Sequence, residues 1–344
     1  MKRAIVLVLI ALLVATTVFA APKPLTVVWY PNNSGEDWKS ARQALNDLIS
    51  KATGRPVVDK LTTDYVIAIE AIASGNAAIA YPGAVGYIQA SMKNPKVVPL
   101  VTISSPKGTL DDSVYYSRVA VRTADAPKYL NGKTYTLDGI KGKTMSFVSS
   151  SSTSGFVIPA AMLKSTFAAQ MKWGESAKTE DLFLEGGPDK FFAKVVFGQT
   201  HQGSIYNVLS GKADVCVVDD IDVDSYFDLV SGVHNVSGAV YRTKLEAAAP
   251  FDNVPGTSFT ILKSIAVRQA PLIVNMDQIS SAEFAALRAA FTSAETAANP
   301  AIFTPAGYND AKGKPYKGLF KKTANERFLS VDASWYDDIR ELMK

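Results

Sequence analysis

The sequence predicts an α/β protein built as two lobes, each a mostly parallel sheet flanked by helices. Three observations carry this expectation. Between residues 25 and 103, strand-like apolar runs alternate with helical runs, the pattern of parallel strands covered by helices. The stretch IEAIASGNAAIAYPG has an echo in IYNVLSGKADVCVVDD, Ser74-Gly75-Asn76-Ala77 matching Ser210-Gly211-Lys212-Ala213. Such an echo fits one unit of this kind in each lobe. Residues 144–163, TMSFVSSSSTSGFVIPAAML, read as a strand, a hydroxyl-rich turn and a helix.

Residues 25–30, LTVVWY, form the first strand. After the turn PNNSGEDW comes an amphipathic helix with Ala41, Ala44, Leu45, Leu48 and Ile49 on one face. Gly54 ends it, and Pro56 opens a strand at Val57. A helix over 66–73 closes at Ser74-Gly75, a strand covers 77–81, and Pro82-Gly83 turns at its carboxyl end. A helix over 85–92 and a strand over 97–103 follow. Ligands of open α/β sheets bind beyond the carboxyl ends of the strands, which puts residues 31–35, Tyr65 and 81–84 beside a cleft.

RVAVR, 118–122, is a strand that crosses to the second lobe, and 137–143 is a short helical turn. Residues 172–187 are polar and poorly periodic, a surface excursion. A strand over 193–197 leads to the turn Gln199-Thr200-His201, and Ile205, Val208 and Leu209 form a helical face ended by Gly211. Residues 214–218 form a strand with Asp219-Asp220 at its carboxyl end. Strands over 236–241 and 258–262 return to the first lobe. A helix over 282–292 carries Phe284, Leu287 and Phe291 on one face, 305–322 reads as surface, and 335–343 is a final helix. The first lobe is therefore expected over 25–117 and 243–344, the second over 118–242.

Composition excludes several functions. The chain has 344 residues, 47% hydrophobic and 20% charged, ordinary for a globular protein. Its formal net charge is +4, from 36 basic and 32 acidic residues, and falls to +2 without Lys2 and Arg3. With no basic run interleaved with aromatics, nucleic acid is not an expected partner. Cys216 is the single cysteine and stands in the apolar run VCVV, so no internal disulfide forms. His201 and His234 share no metal-ligand spacing with it, so neither a metal nor a cofactor is expected. Residues 1–20 have a basic start, an apolar run and the ending Val18-Phe19-Ala20. This is the pattern of a secretory signal peptide cleaved after Ala20. No cysteine follows to carry a lipid, so a soluble, exported, monomeric protein is expected.

The chemistry concentrates in the second lobe. Ser149 to Ser154 is an unbroken hydroxyl run, and Gly155 opens the helix behind it. A helix start presents unpaired N–H groups and the positive end of the dipole, a ready site for an anion. Ser152, Thr153 and Ser154 add donors without adding charge. The same residues also suit a plain polar turn with a good N-cap. His201, at another helix start, suits an oxyanion donor or a solvated turn residue. Asp219 and Asp220 suit an acid pair, metal ligands or a helix cap, and Asp219 in particular suits holding His201 or accepting from a protonated ligand oxygen. Ser152 lies in SSTSG, not in a nucleophile elbow, and no phosphate loop or dinucleotide fingerprint is present.

With these residues in place, KTMSFVSSSSTSGFVIP resembles the signature turn of the phosphate/phosphite/phosphonate-binding proteins of ABC importers. FGQTHQGSIYNVLSGKADVCVVDD, TDYVIAIEAIASGNAAIAYPGAVGYI and RFLSVDASWYDDIREL are similar to further blocks of that family, in order along nearly the whole mature chain. The resemblance implies a two-lobed type II periplasmic-binding fold with two crossing segments. It also implies capture of a small phosphorus oxyanion for a membrane permease, with no catalysis. Carried over, Ser152, Thr153, Ser154 and His201 hold the oxyanion, with Tyr65 and Asp219 at further cleft positions. Thr257, in NVPGTSF, stands where aminophosphonate binders carry an Asp. This implies a cleft that disfavours amine-bearing ligands. Another small anion, a ligand-reporting module for a membrane sensor and a periplasmic serine hydrolase are the alternatives.

Overall fold

The computed structural model describes residues 22–33, 38–174, 176–310, 312–316 and 318–343. The expected signal peptide and the turn residues Ser34 and Gly35 lie outside the described residues. β1 (Leu25–Trp29) is followed by a 3-10 turn, Pro31–Asn33, and then by α1 (Lys39–Thr53), β2 (Val57–Leu61) and α2 (Tyr65–Ala73). β3 (Ile79–Ala80), α3 (Ala84–Lys93) and β4 (Val97–Ile103) follow. The α1 face read from the sequence is the one that packs. Ala41, Leu45 and Ile49 are buried, and Gly54 ends the helix in the left-handed conformation, φ 68°.

β5 (Val114–Arg122) begins a second sheet, and the small hairpin β6 (Leu130–Asn131) and β7 (Thr134–Tyr135) precedes β8 (Thr144–Phe147). Then come α4 (Ile158–Met171), α5 (Thr179–Phe183), β9 (Lys194–Phe197), α6 (His201–Leu209) and β10 (Val215–Asp219). β11 (Phe227–Ser231), β12 (Val240–Thr243) and the long β13 (Ser258–Arg268) complete this half. β14 (Pro271–Asn275), α7 (Ser281–Phe291), α8 (Ala294–Ala298), the pair β15 (Phe303–Pro305) and β16 (Phe320–Lys322), β17 (Phe328–Ser330) and α9 (Asp337–Leu342) close the chain.

The first sheet runs β17-β4-β14-β3-β1-β2 and the second β11-β12-β13-β5-β10-β8-β9. Both are mixed rather than mostly parallel. β1 is parallel to β2 and β3, and β8 is parallel to β9 and β10, while the other neighbours are antiparallel. The antiparallel members are those entered from the other half of the molecule or by hairpins. Their direction is set by where the chain crosses, which an alternation of apolar runs does not report. The strands expected to return to the first lobe also differ. β12 and β13 pair with each other and with β5 in the second sheet, so the return falls between Arg268 and Pro271. The crossings join β4 to β5 and β13 to β14.

The sequence echo is a structural repeat. In α2–β3, Ser74, Gly75 and Ala77 donate to the carbonyls of Glu70, Ile72 and Ala71. In α6–β10, Ser210, Gly211 and Ala213 donate to those of Tyr206, Val208 and Asn207. Gly75 and Gly211 share φ 79°, which glycine adopts without strain. Thus β1, β2, α2 and β3 correspond to β8, β9, α6 and β10, and the helix starts at Tyr65 and His201 are equivalent.

Residues 172–187 are more than a surface excursion. α5 buries Phe183 against Phe191, Phe192 and Trp173, an aromatic cluster beside α4. At the other end of the molecule the final segment grips the second crossing. Tyr336 is buried edge-on to Tyr87 and donates to the Gln269 carbonyl at 3.1 Å. Arg268 lies over the Trp335 ring and pairs with Asp338 at 2.7 Å.

Candidate ligand-binding cleft

The carboxyl ends of the parallel strands face each other across one cleft. It holds about 590 Å³ between its walls, open solvent at the mouth included. From the first sheet come Tyr30, Asn32 and Asn33 after β1, Tyr65 at the start of α2, and Tyr81, Pro82 and Gly83 after β3. From the second come Ser152, Thr153 and Ser154 after β8, His201 at the start of α6, and Asp219, Ile221 and Asp222 after β10. Four helix starts, of α2, α3, α4 and α6, therefore border one space, each with its positive end toward it. Among the described residues that line it there is no lysine or arginine.

The hydroxyl turn is both the expected cap and a cleft wall. Ser152 Oγ accepts from Gly155 N–H at 3.0 Å, and Thr153–Val157 forms one π-turn into α4. Such a widened turn is frequent at functional sites. Pro159 sits in the first turn of α4, where its missing N–H breaks no helical bond. Thr153 Oγ1 reaches across the cleft and accepts from Val85 N–H of α3 at 2.9 Å. Gly83, the N-cap of α3, provides no side-chain cap, so a residue of the opposite sheet supplies it. Each of these hydroxyl oxygens accepts from an amide, which leaves its proton to be given elsewhere.

His201 is buried, and its tautomer follows from its partners. Its Nδ1 accepts from Asp219 N–H at 2.8 Å, so the neutral ring carries its proton on Nε2, 3.2 Å from Asp219 Oδ2. Burial holds the imidazole down to about pKa 4, against smaller opposing effects of Asp222 and Asp220. Burial also pushes the Asp219 carboxyl up to about 8, against the hydrogen bond from Asp222 N–H. The contact is therefore a hydrogen bond between neutral groups near pH 7 and not an ion pair. A histidine serving as base for a serine would need that hydroxyl within about 3 Å of a free ring nitrogen. Here both ring nitrogens are engaged by Asp219, and Ser154 Oγ lies 3.5 Å from Asp219 Oδ2.

Asp219 and Asp220 part company. Asp219 faces the cleft, while Asp220 turns back and accepts from Tyr116 N–H and the Asn235 amide. Asn235 in turn accepts from the fully buried Arg118, which pairs with Asp224 at 2.5 Å. The two aspartates are thus not an acid pair. Burial raises Tyr65 and Tyr115 well above the usual tyrosine range, and the cleft aspartates add to the effect. Both phenols stay neutral donors.

The structure brings Tyr65, Ser152, Thr153, Ser154, His201 and Asp219 to one cleft. It does not bring Thr257 there. That hydroxyl donates to the Val254 carbonyl at 2.6 Å and lies 3.2 Å from Thr243 Oγ1, at the turn into β13. A carboxylate does face the cleft beside Asp219, that of Asp222. Asn32 and Gly83 fall within the segments 31–35 and 81–84 that the sequence puts beside the cleft, though without a role for either residue. The signal for Asn32 was its place after the first strand, at the carboxyl end where ligands bind.

The sequence profile of the family described as "ABC transporter, phosphonate, periplasmic substrate-binding protein" matches residues 27–335. The phosphate-import protein PhnD of Mycolicibacterium smegmatis is 27% identical over 204 residues, 58% of this chain and 60% of that protein. The chain thus matches about three fifths of that relative's length. PhnD1 of Prochlorococcus marinus in complex with methylphosphonate has a TM-score of 0.62 at 14% identity, over 93% of this chain and 97% of that one. A binding protein component of a phosphonate ABC transporter from Pseudomonas aeruginosa gives a TM-score of 0.63 at 16% identity, over 93% and 85%. These two share the fold.

Proposed function

The chain belongs to the family of phosphonate-binding periplasmic substrate-binding proteins of ABC transporters, and from that premise we propose that it captures a small phosphorus oxyanion between its two sheets and delivers it to a membrane permease. The exported form begins after Ala20. Phosphonate, phosphite and phosphate are the candidate ligands; the names of its relatives speak of phosphate import and of bound methylphosphonate. The observation that carries the reading is the facing of four helix starts and a hydroxyl turn across a cleft whose described lining holds no cationic side chain. Binding then rests on neutral donors. Ser152 and Thr153 give their hydroxyl protons. Asp219, neutral below about pH 8 and steadied by the His201 Nε2–H, gives its carboxyl proton to a ligand oxygen. Ser154, His201 and Tyr65 complete the wall. Closure of the sheets excludes water, which strengthens every one of these bonds.

A thermal-shift series with phosphate, phosphite, methylphosphonate and sulfate tests the reading. A phosphorus ligand at 100 times its dissociation constant adds about 2.7 kcal/mol of stability. Stabilisation by sulfate alone, or by none of the four, overturns it. Thr153→Ala removes one donor to a charged group and is expected to weaken binding by roughly 1.5–3 kcal/mol, read by calorimetry. Unchanged affinity removes the turn from the site.

A further inference from the structure

Tyr30, directly after β1, lines the cleft and is 5% exposed. Among the described residues its hydroxyl has no hydrogen-bond partner. A buried hydroxyl left without a partner is costly and calls for a reason. The ring lies on that of Tyr65, 4.0 Å between centroids. Its Oη stands against the first turn of α3, where a Cβ on Gly86 would meet it at 2.0 Å and Pro82 Cβ at 2.9 Å. Glycine at 86 is what leaves room for the hydroxyl at that helix start. Its polar neighbours bond elsewhere. Asp64 accepts from Val66 N–H at 2.7 Å, and Thr153 Oγ1 from Val85 N–H at 2.9 Å. Tyr65 Oη accepts from Asn32 Nδ2, which also donates across the cleft to Asp222 Oδ2, both at 2.7 Å. Burial raises the Tyr30 phenol well above the usual tyrosine range, with Asp64 adding to the effect, so it stays a neutral donor. When the sheets stand apart, water serves this hydroxyl. Closure removes the water, and a ligand oxygen is the acceptor that replaces it.

In the proposed capture, Ser152, Thr153 and Asp219 of the second half give one proton each. They match the three oxygens common to phosphate, phosphite and a phosphonate, and the fourth substituent on phosphorus then faces the first sheet. We propose that Tyr30 reads that fourth substituent: its hydroxyl, at the start of α3, requires an oxygen there, so the cleft selects phosphate over phosphite and methylphosphonate. This inference rests on the proposed capture of a phosphorus oxyanion. With hydrogen or methyl at that vertex, Tyr30 is shut away from water with no acceptor. A site built to hydrogen-bond a ligand group rejects the analogue that lacks it for this reason.

Calorimetry with inorganic phosphate, phosphite and methylphosphonate on the full chain tests this, in the wild type and in Tyr30→Phe. The wild type is expected to bind phosphate at least tenfold more tightly than the other two. Phosphite, with only hydrogen at the vertex, separates a missing acceptor from a shortage of room. Tyr30→Phe is expected to weaken phosphate at least tenfold and to change the other two less than threefold. Urea melts without ligand are expected to show equal or higher stability in this variant, since it loses no hydrogen bond. Lower stability there would show that the hydroxyl already has a partner in the fold, and overturns the inference. A wild type that holds phosphite or methylphosphonate as tightly as phosphate overturns it too, as does Tyr30→Phe that weakens all three equally or none. Gly86→Ala, which pushes the same hydroxyl aside, is expected to shift the ratios in the same direction, and unmoved ratios count against the inference. Wild-type protein that binds none of the three sinks the functional reading itself, an outcome distinct from unselective binding.

Discussion

Gly83→Ala separates closure of the cleft from stability of the fold. A Cβ at Gly83 would stand 2.5 Å from Thr153 Oγ1, where ordinary contact begins at about 3.4 Å. Either Thr153 turns its hydroxyl away or the opposing wall withdraws by about 0.9 Å. Since Thr153 Oγ1 is itself the acceptor of the 2.9 Å bond from Val85 N–H, either movement breaks that bond. Losing it costs about 0.5–1.5 kcal/mol, and the residual crowding adds about 1 kcal/mol or more. Together these amount to about 2 kcal/mol of closure, or roughly thirtyfold in affinity. The backbone at Gly83, φ −67° and ψ 169°, is open to alanine. When the sheets stand apart nothing opposes the methyl group, and alanine stabilises by about 0.4–1 kcal/mol through the unfolded chain. The two effects have opposite signs. Urea denaturation without ligand is expected to show equal or higher stability, and calorimetry with methylphosphonate weaker binding. Unchanged affinity would show that the contact between Thr153 and α3 is not made when ligand is bound.

The remaining predictions concern protons, a buried ion pair and a cap. Asp219 keeps its proton up to about pH 8 in the native state and to 3.8 in the unfolded chain, so its contribution is complete below pH 3.8 and is lost as pH rises toward 8. His201, held down to about 4 from 6.5, opposes this only below pH 6.5. Between pH 6.5 and 8 stability should fall by about 1.4 kcal/mol per unit, about 2 kcal/mol in all. Asp219→Asn should flatten that slope in urea titrations, and an identical slope in the variant refutes the assignment. Arg118→Leu takes from Asp224 its closest and only fully buried partner, leaving His234 Nε2 at 3.5 Å and Lys321 Nζ at 3.9 Å, and is expected to cost about 3 kcal/mol; a loss under about 1 kcal/mol in denaturant melts would show that the network carries little. Ser280→Ala removes the capping box with Glu283 at the start of α7 and should cost about 1 kcal/mol, read as a lowered midpoint with unchanged slope.

What was legible in the sequence was local. The α1 face, the glycines that end helices and the Ser152 cap each depend on a few consecutive residues, and each can be read without knowing the fold. Tyr65, Ser152, Thr153, Ser154, His201 and Asp219 stand at helix starts and strand ends, where chain-local signals coincide with the place ligands bind. Asn32 and Asp222 escaped notice as a pair because 190 residues separate them, and no periodicity links a loop to a carboxylate across a cleft. Thr257 was drawn in by a matching block, yet the turn into β13 uses its hydroxyl locally. Strand direction failed for the same reason as the pair did. β4, β14 and β3 are neighbours only after the chain has crossed to the second sheet and back, and apolar alternation is blind to that journey.

The two crossings give the repeat a further meaning. Each half presents its own strand ends and helix starts, and the pair is a chelate joined through residues 104–113 and, by a second and shorter joint, through Gln269 and Ala270. A ligand held by one half meets the other at an effective concentration set by those joints. Tyr336 pins the shorter one at the Gln269 carbonyl. Affinity is then partly a property of the tether. Changes at Arg268, Trp335 or Tyr336, which make no part of the cleft wall, alter how often the second half is offered to an anion already resting in the first.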